Sequence, residues 1–170
     1  IGSFYQPKIV ISDVEFLKSL PFREIVCGYA EIIKHALIRN KKFYNFLNSN
    51  IKEILKLKSP IIERSIYESC KIKKLIVEKD EKELNVRKIL NFGHTFAHAF
   101  EAGINFSKKL NHGEAVIFGL MNAVNFSKEK KIIADSNSEL INNHIKKIEI
   151  KNKYKDLFNK RKITSILNFM

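Results

Sequence analysis

Tryptophan is absent from this chain, proline occurs three times, glycine six times and cysteine twice. Cys27 and Cys70 stand alone, with no C-x-x-C spacing. That excludes a disulfide scaffold and a thiolate metal cluster, and both residues read as small buried apolar groups in a reducing compartment. The glycines never approach a G-x-G-x-x-G grouping, so no dinucleotide-phosphate turn is present. No apolar run approaches the roughly 20 residues that a membrane-spanning helix needs, and no signal peptide opens the chain. A cytoplasmic protein with no membrane partner is therefore expected. Acidic residues are also scarce, 18 against 31 lysines and arginines, for a net charge of +13. The lysines are scattered through the whole chain rather than clustered with stacking aromatics, and no nucleic-acid motif appears. Most of this charge reads as solvated surface, with no nucleic-acid partner and a modest share left to steer an anionic substrate.

Strand signal is almost missing too. Lys8 to Asp13 read as one β-branched strand and Val14 to Ser19 as a short helix. From there the apolar periodicity predicts helices near 20–39, 41–57, 60–79, 93–102, 113–130, 138–149 and 151–169, with loops at 80–89 and 103–111. Ser59-Pro60 restarts one helix and Gly103 ends another, while Ser19 near the cap and Pro21 in the first turn open the helix that carries Glu31. No repeat, linker or low-complexity segment divides this region. The fold class is mainly α, and 170 residues suffice for one core.

Chemistry concentrates in Asn91-Phe92-Gly93-His94-Thr95-Phe96-Ala97-His98-Ala99-Phe100-Glu101, followed by Asn111-His112-Gly113-Glu114. His94 and His98 stand four apart on a predicted helix, so both imidazoles project from one face. His112 falls at the start of the next helix. Glu31 and Lys34 share a face of an otherwise apolar helix, where unpaired charges would be costly, so something must compensate them. Two histidines and one glutamate leave a fourth position open, which suits catalytic zinc. Spacing alone pairs His94 with His98, as in helical H-x-x-x-H metal sites, while satisfied polar residues on a half-buried helix would give the same pattern. His35, four after Glu31, reads as a supporting or packing neighbour, and His144, amid Asn and Lys, as exposed. Phe92, Phe96 and Phe100 read as core packing.

The blocks Ile1-Gly2-Ser3-Phe4-Tyr5-Gln6-Pro7, Leu20-Pro21-Phe22-Arg23-Glu24 with Gly28, Ala30-Glu31-Ile32-Ile33-Lys34, Leu90-Asn91-Phe92-Gly93-His94-Thr95 with His98 and Glu101, and His112-Gly113-Glu114-Ala115-Val116 resemble 3-dehydroquinate synthase. They occur in order and at matching separations, from residue 1 to about residue 127. The resemblance implies zinc, or cobalt, on Glu31, His94 and His112, and moves His98 to the substrate side. It makes Lys34 an active-site lysine beside His98 and assigns Lys73, Arg87, Asn91 and His98 to substrate binding. The implied reaction turns a seven-carbon keto-sugar-acid phosphate, 3-deoxy-D-arabino-heptulosonate 7-phosphate, into 3-dehydroquinate and phosphate, with NAD+ as redox cofactor, in chorismate and aromatic amino-acid biosynthesis.

Two positions depart from that family's pattern. Ala97 replaces the usual glycine between the histidines, and Asn85 replaces a glycine two before Arg87, where a left-handed backbone is expected to be tolerated by Asn. The resemblance further implies a helical metal- and substrate-binding domain over 20–170. Residues 1–19 are expected to be the tail of an amino-terminal α/β NAD domain, with one residual strand. A basic D-K-K element of the family is not reached before Met170. The complete enzyme is expected to be a homodimer and the isolated chain inactive. Related sugar-phosphate cyclases, metal-dependent glycerol or alcohol dehydrogenases, and a zinc-binding remnant without turnover are the alternative readings.

Overall fold

The computed structural model describes residues 5–150 and Ile166. Among these residues there is no strand. A short 3-10 helix, Val14–Ser19, leads into α1 (Phe22–Arg39), α2 (Lys41–Ser49), α3 (Ile51–Leu55) and α4 (Ile61–Lys79). A second 3-10 segment, Val86–Asn91, precedes α5 (His94–Gly103), α6 (His112–Glu129) and α7 (Asp135–Lys146). The helix expected over 151–169 lies outside the described residues, apart from the buried Ile166.

The centre of the molecule is α6. Gly113 through Leu120 are all buried, so this helix presents no outer face over its first two turns. An apolar helix of that kind is stable only when wrapped, and α1, α5 and α7 pack around it. Helix α1 supplies Val26, Tyr29, Ala30 and Ile33, and α5 supplies Ala97, Ala99 and Phe100. Ala97 is fully buried in this contact. Helix α4 covers the other side of α1 with Ile62, Ile72 and Ile76, spaced to one helical stripe. The Asn111 side chain caps α6 by accepting from the Glu114 amide, while the Glu114 carboxylate accepts from the Asn111 amide.

Five expectations change. Residues 8–13 form no strand, because no second strand offers them a hydrogen-bonded ladder; Ile9, Val10 and Ile11 are each at least 74% exposed. The helix expected over 41–57 is broken at Asn50, whose amide closes α2 onto Phe46 and Leu47 before α3 starts. Ser19 does not cap α1: its hydroxyl turns back to the Phe16 carbonyl, and Pro21 occupies the cap position. Cys70 is exposed, since the inward stripe of α4 passes through Ser69 instead. His144 is fully buried rather than exposed, because it shares the inward stripe of α7 with Ser138 and Ile145.

The buried histidines give the fold an acid limit. His144 Nε2 lies 2.9 Å from the Tyr29 hydroxyl, and His35 Nδ1 lies 2.7 Å from the Ser69 hydroxyl. Burial pushes both imidazoles down to about 4; nearby Lys147 adds to this for His144, and Lys34 for His35. In the unfolded chain each would protonate near its ordinary value of about 6.5. Between these values the unfolded state holds more protons, so stability falls as pH drops from about 6.5 toward 4. Each site can remove on the order of 3 kcal/mol over that window. Urea denaturation at pH 7 and pH 4.5 should show this loss, and His144→Phe should reduce the pH-dependent part while leaving the pH 7 spectrum helical.

Candidate metal centre

Three helices meet where the sequence-predicted ligands lie. Glu31 comes from the middle of α1, His94 is the first residue of α5 and His112 the first of α6. Gly93, immediately before α5, has φ 80°, a left-handed backbone that aims His94 inward and that a side chain would strain. The start of α6 is clamped to the start of α1 by Arg23. Its guanidinium donates to both carboxylate oxygens of Glu114, at 2.9 and 2.5 Å, and to the carbonyls of Lys108 and Lys109, each at 2.9 Å. Glu114 is only 1% exposed. Gly113 lets the two helices touch here, because a Cβ at this position would stand 2.2 Å from Cys27 Cα.

Glu31, His94 and His112 each present a ligand atom, and these atoms all lie within 4.8 Å of one another. Glu31 Oε1 is buried without a hydrogen-bond partner and faces His94 Nε2 at 3.7 Å, while its Oε2 accepts from Lys34 Nζ at 2.7 Å. Burial pushes the Glu31 carboxyl up, but the Lys34 hydrogen bond and charge outweigh it and hold the group below the usual carboxylate range. Lys34, 3% exposed, is itself lowered, by burial that the Glu31 contact only partly offsets. The pair therefore favours the carboxylate more strongly than the ammonium.

His94 is lowered by burial first and then by the charge of Lys34, which keeps it neutral, the form that binds metal. Its Nδ1 is 3.4 Å from the Phe92 carbonyl, and His112 Nδ1 is 3.2 Å from Glu101 Oε1. Each contact holds one ring nitrogen and leaves the other for an ion, which is how outer partners orient metal-bound imidazoles. An orphaned carboxylate oxygen and two such histidines fit a zinc-like cation.

Beside the triad opens a cleft of about 230 Å³ lined by Glu31, Lys34, Lys73, Glu83, Arg87, Asn91 and His94, together with His35 and Leu90. His98 is not on its wall. It is exposed, with ring centroids 5.5 Å from His94 and 6.1 Å from His112. The turn that delivers Arg87 departs from expectation: Asn85 has φ −136°, and the left-handed residue is Glu83, at φ 57°. Asp80 builds this turn, its carboxylate accepting from the amides of Leu84, Asn85 and Arg87 at 2.7–2.9 Å. Those three donors, Arg87 first, hold the Asp80 carboxyl below its ordinary range. Glu83 is the other residue that sequence reading missed. It accepts from Asn91 Nδ2 at 2.9 Å and lies 3.9 Å from Arg87 Nε. The run Asp80-Glu81-Lys82-Glu83 just ahead of Arg87 was the available signal.

The profile of the family described as 3-dehydroquinate synthase C-terminal matches residues 28–170. The chain belongs to this family. The 3-dehydroquinate synthase of Pelagibacter ubique (strain HTCC1062) is 56% identical over 170 residues, which is all of this chain and 46% of that protein. The 3-dehydroquinate synthase of Alkaliphilus metalliredigens (strain QYMF) is 47% identical over 102 residues, 60% of this chain and 29% of that protein. The chain thus spans less than half the length of the curated relatives it matches. Among solved structures, ValA, a 2-epi-5-epi-valiolone synthase from Streptomyces hygroscopicus subsp. jinggangensis 5008 with NAD+ and Zn2+ bound, has the same fold. It superposes with a TM-score of 0.77 at 17% identity, covering 92% of this chain and 43% of that one.

Because Glu114 is buried and receives two of its contacts from one guanidinium, Arg23→Ala should destabilise the protein by roughly 3–5 kcal/mol, the usual cost of leaving one charge of a buried pair uncompensated. Urea unfolding monitored by helical circular dichroism measures it. Arg23→Lys should recover only part of the loss, since an ammonium cannot span both oxygens.

Proposed function

We propose that this chain is the metal- and substrate-binding part of a cytoplasmic 3-dehydroquinate synthase, a phosphate-eliminating carbon–oxygen lyase. In the complete enzyme, a homodimer, it would act on 3-deoxy-D-arabino-heptulosonate 7-phosphate and release 3-dehydroquinate and phosphate in chorismate biosynthesis. The observation that carries this reading is the juxtaposition of a Glu31–His94–His112 cluster with a cleft walled by Lys34, Lys73 and Arg87, in a chain of this family. The unpaired state of both cysteines agrees with a reducing compartment. Among the described residues no helix is long and apolar enough to cross a membrane.

Glu31, His94 and His112 would hold zinc or cobalt. When bound, the ion supplies a Lewis acid that polarises a substrate carbonyl and orders neighbouring hydroxyls. The residues of this chain do not fit a dinucleotide: they contain no glycine-rich phosphate turn, and no strand among the described residues. Residues 1–19 belong, in this reading, to the edge of the domain that holds NAD+, and the redox steps are assigned to no residue here.

What these side chains do is bind and orient. The Arg87 guanidinium and the Lys73 ammonium grip the substrate carboxylate, the first through a fork of donors and the second as a compact charge. A sugar phosphate that carries a carboxylate is favoured over one that lacks it for the same reason. Lys34 Nζ, already fixed by Glu31 Oε2, has further N–H groups for a substrate oxygen at the metal side of the cleft. Asn91 Nδ2 donates to a hydroxyl once substrate displaces Glu83. His98, at the solvent edge of the triad, passes a proton toward the leaving phosphate.

In the full-length enzyme, Arg87→Ala should raise KM by about 10–100-fold, the worth of a charge-assisted contact, with kcat and metal content little changed. His94→Ala should abolish metal retention, measured by atomic absorption after gel filtration. Equal metal loss in both variants would sink the division of roles. The 170-residue chain alone should retain zinc but release no phosphate from substrate with NAD+ present; sustained turnover that His94→Ala abolishes would contradict the reading.

A further inference from the structure

A second cluster of ligands lies against the first. His98 and Glu101 stand three apart on α5 and so share a face, and His112 enters from the start of α6. Each presents a ligand atom, all within 4.8 Å of one another, in a set distinct from the Glu31 cluster except for His112. His112 can serve both as a bridging imidazolate, its ring proton released to solvent as the second ion binds, with one ring nitrogen turned to each ion. Its Nδ1 is 3.2 Å from Glu101 Oε1, on the side of the second cluster. The His98 and His112 rings lie 6.1 Å apart at an interplanar angle of 29°. Among the described residues His98 makes ring contacts to the other two histidines and no hydrogen bond.

We infer that His98, Glu101 and His112 form a second, weaker site for a divalent cation of the zinc class. Two imidazoles and one carboxylate are the donor set that such an ion takes with an open fourth position, and solvent reaches this face to fill that position. The site is weaker than the first for a stated reason. In the Glu31 cluster His94 has a carbonyl partner for its outer nitrogen, whereas His98 has none and His112 must give up its ring proton to bridge, and loss of such a partner costs about 10–100-fold in affinity. The inference takes from the proposed function only the substrate role of His98: an ion held there and a substrate that uses this imidazole exclude one another. Excess metal would therefore occupy the very group that the reaction needs.

Titration of the metal-free protein with ZnCl2, followed by isothermal calorimetry and native mass spectrometry, tests this without any assay of turnover. The wild type should bind two ions, the second about 10–100-fold more weakly than the first. His98→Gln, on the exposed side of α5, should lose the weaker ion and keep the tighter one; Glu101→Gln should also lose the weaker ion, and should loosen but not abolish the tighter one, because Glu101 supports His112 there. Glu31→Gln should lose the tighter ion and keep the weaker. Circular dichroism of each variant establishes that it is folded. A wild type that binds one ion, lost in Glu31→Gln, would overturn the second site and leave the Glu31 assignment standing. Persistence of two ions in both His98→Gln and Glu101→Gln would also overturn it. No zinc bound by folded wild type would overturn both sites together.

Discussion

The bidentate contact between Arg23 and Glu114 is the constraint on which the site depends. Glu114 is nearly inaccessible to water, and its two oxygens are taken up by the guanidinium and by the amide of Asn111. One carboxylate thus caps α6, ties that cap to the first turn of α1 and, through the Lys108 and Lys109 carbonyls bound by the same guanidinium, anchors the loop between α5 and α6. His112 lies two residues upstream of Glu114 and has little freedom once these bonds are made. Without them the buried half of α6 would still seek the core, but nothing would fix where its first residue points. Apolar burial sets the compactness of this fold; this polar clamp sets its register.

A second tension sits in the cleft. Glu31 and Lys34 place two charges at the inner end of the cleft, where burial prevails over the pairing for the lysine and the pairing prevails over burial for the glutamate. Lys73 adds to the effect of burial, since its charge also disfavours the Lys34 ammonium. Glu83 answers part of the excess by taking up Asn91 and approaching Arg87. The cleft is therefore an anion-attracting surface whose charges are already partly answered from within, which keeps it folded when nothing else is bound there.

How far these features could be read in advance depended on whether they repeat along the chain. The stripes of α1 and α4 recur every three or four residues and the apolar run of α6 is continuous, so all three are legible. The break at Asn50 is not, because Leu47, Ile51 and Ile54 carry the apolar spacing straight across it and the interruption is made by backbone hydrogen bonds. The burial of His144 is masked by its polar neighbours and shows only in its phase on the helix, which it shares with Ile145 and Ser138. The meeting of Glu31 with His94 and His112 leaves no local trace, since 63 residues separate the first pair, counting from 31 to 94. Only the ordered blocks shared with a known family pointed there. The Asp80 turn escaped notice because a carboxylate that collects three backbone amides has no side-chain partner to reveal it.

The arrangement of these three ligands, one on each of α1, α5 and α6, has a thermodynamic consequence. No two of them share a helix, so secondary structure alone cannot assemble the site. A loosened state that kept every helix but let them slide would lose the ion while its far-ultraviolet spectrum hardly changed. Conversely, an ion bound only by the packed state adds its binding free energy to the cohesion of these helices. Under the proposed assignment, metal affinity would in that sense be a gauge of tertiary order, reporting whether three helices keep their relative positions to within the reach of a single coordination sphere.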